Sequence, residues 1–96
     1  MLENLNKAFE SRLRLGIMSI LVVNDWVDFN SLKEYLSASD GNLSSHISSL
    51  EKAGYLEVRK EFIGKRPKSS YRVTMPGRTA FNAHLDALEE LLNKRK

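Results

Sequence analysis

The sequence predicts a mostly α-helical chain with one small β-hairpin, an α+β fold. Apolar residues recur at helical spacing over most of its 96 residues. The period changes after Gly54, where apolar and charged residues alternate over 56–62 as in a strand. The length and an apolar content of 42% allow a single modest core, so we expect one domain, residues 1–96.

The first part of the chain carries two amphipathic patterns. Residues 2–10 predict a helix from the spacing of three apolar residues, Leu2, Leu5 and Phe9. A second helical pattern begins after Ser11, a plausible cap, and ends near the turn-forming residue Asn24. Because Gly16 weakens the pattern, it stays open whether residues 2–23 form one helix or two.

Two short helices joined by a tight turn follow, and we predict a helix-turn-helix at residues 31–53. A β-prone stretch precedes them at 26–29, and Asn30 or Ser31 can cap the first helix. Residues 37–41 have the composition of a turn. The apolar positions of the two helices are Leu32, Tyr35, Leu36, Leu43, Ile47 and Leu50.

A hairpin and a last helix complete the chain. Strands are predicted at 56–62 and 70–74, with a basic turn at 64–69 between them. Thr74 can cap the helix that runs to the end of the chain. Two short helices followed by a hairpin describe a winged helix-turn-helix, with the wing at residues 56–74.

The charge of the chain is concentrated in one segment. The net charge is +3, but residues 59–78 hold seven cations and one acid and so carry +6, which leaves the other residues at −3. A basic segment in an otherwise acidic chain is typical of a surface that contacts phosphate. A solvated loop rich in lysine would have the same composition.

The second helix of the pair exposes small polar side chains, where a merely solvated helix usually carries Glu, Lys and Arg. Hydroxyls and amides hydrogen-bond to base edges and phosphates, so we expect this helix to enter the major groove of DNA. Serines that simply fit a crowded turn are the alternative. The predicted contacts are Asn42, Ser44, Ser45, Ser48 and Ser49, with His46 and Lys52 at the edges. The predicted wing contacts, to phosphate or the minor groove, are Lys65, Arg66 and Lys68.

Three strings of the sequence resemble winged-helix transcriptional regulators of the MarR and ArsR type. DGNLSSHISSLEKAGYL at 40–56 resembles the recognition helix of that family and its exit into the wing. RLRLGIMSIL at 12–21 resembles the opening helix, and YRVTMPGR at 71–78 resembles the exit from the wing. The resemblance covers most of the chain and implies a homodimeric transcriptional regulator.

A homodimer also has support from the residues themselves. The predicted terminal helices, 2–10 and 79–96, offer apolar faces that a small chain cannot easily bury alone. Packing of the last helix on the first within one chain is the alternative. A two-fold dimer predicts a pseudo-palindromic site in double-stranded DNA. The predicted dimer interface is Leu2, Leu5, Phe9, Phe81, Leu85, Leu88 and Leu92.

No metal site, cofactor or catalytic site is expected. The chain has no cysteine, which excludes disulfides and thiolate ligands. The resemblance implies that His46 of the recognition helix is a packing or phosphate-contacting residue. His84 is interpreted as a surface histidine, and a titrating pair with Asp86 at a dimer interface is the alternative. No nucleophile, glycine-rich phosphate loop or metal spacing indicates an enzyme. An unidentified small-molecule effector stays open, with four aromatics for a crevice or, more simply, for the core: Phe9, Trp26, Tyr35 and Phe81.

Location and alternative functions follow from the same features. The start of the chain does not resemble a secretory signal, and the apolar run at 17–23 is too short to span a bilayer, so we expect a cytoplasmic protein without a membrane partner. A winged helix that binds protein would more often expose an apolar patch than a basic wing. A non-specific architectural DNA-binding protein would use the same cations. RNA binding is less favoured, because the wing lacks paired aromatics for stacking.

Overall fold

The computed structural model describes residues 4–93, which form four α-helices and a three-stranded antiparallel sheet. After a 3₁₀ turn at Lys7–Phe9, the elements in chain order are α1 (Arg12–Leu21), β1 (Val27–Asp28), α2 (Phe29–Leu36), α3 (Asp40–Lys52), β2 (Leu56–Ile63), β3 (Arg66–Val73) and α4 (Met75–Asn93). The predicted mostly α fold with a small hairpin, a winged helix-turn-helix, is confirmed.

The start of the chain differs from its prediction. No α-helix covers the described part of residues 2–10, which includes the 3₁₀ turn at Lys7–Phe9, and Leu2 lies outside the described residues. Ser11 has extended backbone and its hydroxyl accepts the Arg14 N–H, so α1 begins as a separate helix. Asn6 caps the 3₁₀ turn before residue 10 and Ser11 caps α1 after it. Residues 2–23 therefore do not form one continuous helix.

Helix α2 begins earlier than Asn30 or Ser31 would place it. Its N-cap is Asp28, whose carboxylate accepts the Ser31 backbone N–H at 3.1 Å and the Ser31 hydroxyl at 2.7 Å. A carboxylate is a strong cap because it also complements the positive end of the helix dipole. The cap therefore moves to the last residue of β1, and Phe29 becomes helical rather than β.

The Asp28 cap gives a pH-dependent prediction. The Ser31 hydroxyl lowers the pKa of Asp28 below its ordinary value of 3.8. The Ser31 N–H lowers this pKa further, whereas partial burial of the carboxyl raises it. Because the pKa of this carboxyl is lower in the folded than in the unfolded state, the carboxylate stabilises the fold at pH values above the unfolded-state pKa. This stabilisation is lost as the pH falls through the folded-state pKa. We expect Asp28→Ala to lower the free energy of unfolding by about 1 kcal/mol at neutral pH, and by less below pH 3.8.

Urea denaturation of both proteins across this acid range measures the difference. Asp28→Asn is the matched control, because an amide still caps but does not titrate. A loss of the same size at neutral and at acid pH would contradict the interpretation.

The sheet has the strand order β1-β3-β2, and the wing is longer than predicted. Residues 64–69 were expected to be a turn, but Ile63 pairs with Arg66, which leaves a two-residue turn at Gly64 and Lys65. Gly64 has φ of +66°, which glycine adopts readily. Pro67 is tolerated in β3 because β1 pairs only with Ser70 and Tyr71, so the far half of β3 has an open edge.

The core lies between the helices and the near half of the sheet. The N-terminal segment packs into it: the ring centroid of Phe9 lies 5.3 Å from those of both Tyr55 and Phe81. His84, expected at the surface, is only 4% exposed, and its Nδ1 accepts the backbone N–H of Asn6 at 3.0 Å. The segment that was predicted as a free apolar face therefore covers α4 of its own chain.

This packing corrects the predicted dimer interface at two positions. Phe9 is 0% and Phe81 is 2% exposed, so both rings are used within one chain. Leu5 and Leu88 are half-buried, whereas Leu85 and Leu92 remain exposed. Packing between the two ends of one chain, the alternative to a dimer, thus explains the burial of the two aromatic residues. It leaves Leu85 and Leu92 of α4 exposed.

Candidate nucleic-acid interface

Helix α3 is amphipathic as predicted. Its buried side carries Leu43, Ile47 and Leu50, which hold it against the rest of the domain. The predicted contact residues on its exposed side are Asn42, Ser44, Ser45, Ser48 and Lys52. Ser49 is half-buried. The helix therefore presents a narrow row of short polar side chains with a lysine at its end.

His46 is held by a residue that the sequence analysis did not single out as a site residue. Arg14 of α1 donates from Nε to Nδ1 of His46 at 2.9 Å, and from Nη1 to the carbonyl oxygen of Ala8 at 3.4 Å. Because Nδ1 accepts from Arg14, the ring can donate from Nε2. Arg14 thus joins the N-terminal segment, α1 and α3.

The N-terminal end of α3 borders a shallow hollow that it shares with α1 and α2. Arg12 and Tyr35 line this hollow together with Asn42 and His46. Neither Arg12 nor Tyr35 was predicted as a site residue, because the excess of positive charge along the sequence lies in residues 59–78. The two arginines at 12 and 14, beside a helix-turn-helix pattern, were the available signal.

A salt bridge and a cap lie at the turn between α2 and α3. Lys33 Nζ of α2 lies 2.7 Å from Oδ1 of Asp40 in the first turn of α3. The Ser39 hydroxyl accepts the N–H of Asn42 at 3.2 Å and caps α3. The salt bridge crosses the turn and the cap adjoins it. Helix α3 is therefore held at its start as well as through its buried face.

The base of the wing is fixed by an aromatic ring and paired charges. The guanidinium carbons of Arg59 and Arg72 lie 4.4 and 4.5 Å from the ring centroid of Trp26, within cation–π range. Arg72 also pairs with Glu57 and, at 3.8 Å, with Asp25. These groups lie on the face of the sheet opposite the core, where side chains alternate with the buried ones.

Two more residues near the base of the wing are held within the protein. Arg78 donates from Nη1 to the carbonyl oxygen of Val22 at 2.9 Å. Tyr71 of β3 is buried, and this burial raises the pKa of its phenol above 10.0, so the ring stays neutral. Three of the seven cations in residues 59–78, namely Arg59, Arg72 and Arg78, therefore have contacts within the protein.

The far half of the wing carries the other four cations. Within residues 4–93, no carboxylate oxygen lies within 4.0 Å of their amino or guanidinium nitrogens. Their side chains are all exposed. They are Lys60, Lys65, Arg66 and Lys68. The basic segment of the sequence is thus divided into a structural base and an exposed basic tip, which includes the three predicted wing residues and Lys60.

Two further features of the described residues bear on other classes of site. Residues 4–93 hold no group of three or more His, Asp or Glu side chains placed to share a metal ion. In the same part of the chain no helix has both the length and the apolar character needed to cross a membrane.

Comparisons with known proteins match nearly the whole chain. A family described as a winged helix DNA-binding domain matches residues 13–92. An uncharacterized protein of Methanocaldococcus jannaschii is 36% identical over 85 residues, which are 88% of this chain and 92% of that protein.

Solved structures agree with this match. The transcriptional regulator homologue protein from Pyrococcus horikoshii OT3 has a TM-score of 0.75 and 30% identity, over 96% of each chain. A MarR-family transcriptional regulator from Silicibacter pomeroyi has a TM-score of 0.63 at 20% identity, over 96% of this chain and 77% of that one. An ArsR-family regulator is similar at the same identity, a level at which the likeness concerns the fold alone.

Proposed function

Since the chain belongs to the family of winged helix DNA-binding domains, we propose that it is a transcriptional regulator that binds a specific site in double-stranded DNA as a homodimer. The observation that carries the proposal is the combination of a slim polar helix and an unpaired basic tip within residues 4–93 of one chain. Each feature fits a different part of a duplex.

Helix α3 enters the major groove, which is wide enough to admit a helix. Its serines and Asn42 donate to and accept from base edges and phosphates, and Asn42 is suited to a bidentate contact with adenine. Arg14 holds His46 with Nε2 available as a donor toward the same side. Because the exposed row has no Arg or Gln, direct readout of guanine is limited and DNA shape contributes to specificity.

The wing follows the sugar–phosphate backbone. Lys65, Arg66 and Lys68 contact phosphates or enter the minor groove, while the cluster around Trp26 keeps the base of the hairpin fixed. Cations at the end of a fixed support lose less conformational freedom on binding than cations on a mobile loop. A fixed base with an exposed basic tip favours DNA binding over the alternative of a solvated lysine-rich loop.

The dimer forms through the leucines of α4. Leu85, Leu88 and Leu92 have the 3-4 spacing of a helix-pair seam, and two of them remain exposed in the single chain. A two-fold axis along this seam would place two α3 helices about one DNA turn apart. The interface proposed here omits Phe9 and Phe81, which are buried within each chain.

Sedimentation tests the dimer. We expect the Leu85→Gln/Leu92→Gln variant to sediment with the mass of one chain and the natural protein with the mass of two, because glutamine keeps helix propensity but removes the apolar seam. Val23→Gln, at an exposed apolar residue near the end of α1, is the matched control and should remain dimeric. A natural protein that sediments as a single chain would remove the homodimer from the proposal.

Selection of binding sites from a pool of randomised duplexes tests the function. We expect an enriched pseudo-palindrome whose half-sites are centred about 10 base pairs apart. Binding without any enriched sequence would instead indicate a non-specific architectural protein. No binding at low salt would overturn the DNA proposal and favour a winged helix that binds another protein.

A further inference from the structure

The tip of the wing carries two large apolar side chains that the fold does not use. Phe62 is 73% and Ile63 is 60% exposed, and neither belongs to the core cluster. They are the last residues of β2, directly before the turn at Gly64 and Lys65. The strand propensity of β-branched and aromatic residues explains why such residues occur here. It does not explain why a phenyl ring is exposed to solvent beside a charged turn.

The surroundings of Phe62 indicate the kind of partner that would cover it. Its cross-strand neighbour is Pro67, and the next pair on the same face is Lys60 with Ser69. Lys65 and Arg66 follow immediately at the turn. An apolar ring with one cation on its own face of the ribbon and two more at the turn complements a surface in which flat apolar groups lie between two rows of negative charge, and a DNA groove has this arrangement.

The dimensions of the hairpin limit which groove this is. Paired strands lie about 4.8 Å apart before their side chains are counted, whereas the minor groove is about 6 Å wide. The ribbon as a whole therefore stays outside the minor groove, and only a side chain from its tip enters. A flat ring flanked by cations that contact the phosphates on both walls fits this geometry.

We propose that Phe62 is an apolar wedge that enters the minor groove of the bound duplex and partly unstacks one base step, while the neighbouring cations contact the backbone. The proposal rests on the proposed function and assigns part of its specificity. Flexible pyrimidine–purine steps such as TA deform with less energy than stiff A-tracts, so the wedge favours sites with such a step under the wing. It supplies a shape-dependent readout that the serine row of α3 lacks.

Fluorescence anisotropy with two duplexes tests the wedge, one with TA steps and one with an A-tract at the same positions. We expect Phe62→Ala to weaken binding to the TA duplex about tenfold, as loss of a base–aromatic contact does, and to abolish the preference for it. The dependence of affinity on salt should stay unchanged, because no phosphate contact is removed. Phe62→Leu should keep part of the preference, and Val23→Ala, which removes exposed apolar surface elsewhere, should keep all of it.

Bending provides a second readout, measured as energy transfer between dyes at the two ends of the duplex. The natural protein should shorten the end-to-end distance more than Phe62→Ala does. Equal affinity, preference and bending in the two proteins would overturn the wedge while leaving the proposed function intact, provided that the natural protein binds DNA. A change in sedimenting mass of Phe62→Ala would assign the ring to a contact between copies, and absence of DNA binding by the natural protein would overturn both proposals.

Discussion

Replacing Lys65, Arg66 and Lys68 together by alanine should weaken binding to a mixed-sequence duplex about 100- to 1000-fold for each wing that contacts it, at about 0.1 M salt. Each phosphate contact releases close to one condensed counterion, so losing three contacts lowers the slope of log affinity against log salt by roughly 3 per wing. The three side chains are exposed at the tip of the wing, and none of them lies within 4.0 Å of a carboxylate in residues 4–93. Their removal should therefore leave the fold unchanged.

Anisotropy titrations over a range of salt concentrations measure this effect. The matched control exchanges the cations for one another, as Lys65→Arg/Arg66→Lys/Lys68→Arg, and should keep the slope because the charge is conserved. Circular dichroism checks that both variants are folded. A triple alanine variant with the natural slope would show that the basic tip does not contact phosphate.

Gly77→Ala should destabilise the protein by about 2 kcal/mol or more, although alanine is the better helix former. A Cβ at Gly77 would lie 2.9 Å from the Cα of Tyr55 and closer still to its carbonyl oxygen. That oxygen already accepts the backbone N–H of Thr74, whose hydroxyl accepts the N–H of Gly77. Backbone meets backbone at this junction of the wing and α4, so no side chain can move aside to make room.

The matched control for Gly77 is Gly41→Ala in α3, where an added Cβ would meet no atom within 4 Å. Helix propensity alone acts at that position, so we expect a neutral effect or stabilisation of up to about 1 kcal/mol. Thermal and urea unfolding of the two variants measure the difference. If Gly77→Ala were as stable as Gly41→Ala, the junction would be looser than the structure shows.

The arrangement of elements was largely predictable because it depends on neighbours along the chain. The change from helical to strand-like period near Gly54 marked the wing, and Gly54 has the φ of +84° expected where α3 ends. The Ser11 and Thr74 caps were found from composition and short-range spacing, and the structure confirms both. The polar row of α3 was predicted in the same way, from the rotation of about 100° per residue along a helix.

Errors arose where a local signal had a competitor nearby. Asp28 replaced Asn30 or Ser31 as the cap of α2, because a carboxylate two or three residues upstream could accept both bonds from Ser31. The predicted turn at 64–69 became strand, because pairing with β2 supplies hydrogen bonds that the composition of β3 does not reveal. Composition measures what a segment prefers alone, and not what its partner provides.

Spacing and charge along the chain were enough to predict the order of the elements, the polar face of α3 and the presence of a basic segment. Which members of each chemical class are used within the protein depends on the tertiary fold. It buried Phe9, Phe81 and His84 and left Phe62 in solvent. It also engaged Arg59, Arg72 and Arg78 and left the cations of the tip exposed. Burial and pairing depend on residues that are distant in sequence and adjacent in space, and no local pattern encodes that adjacency.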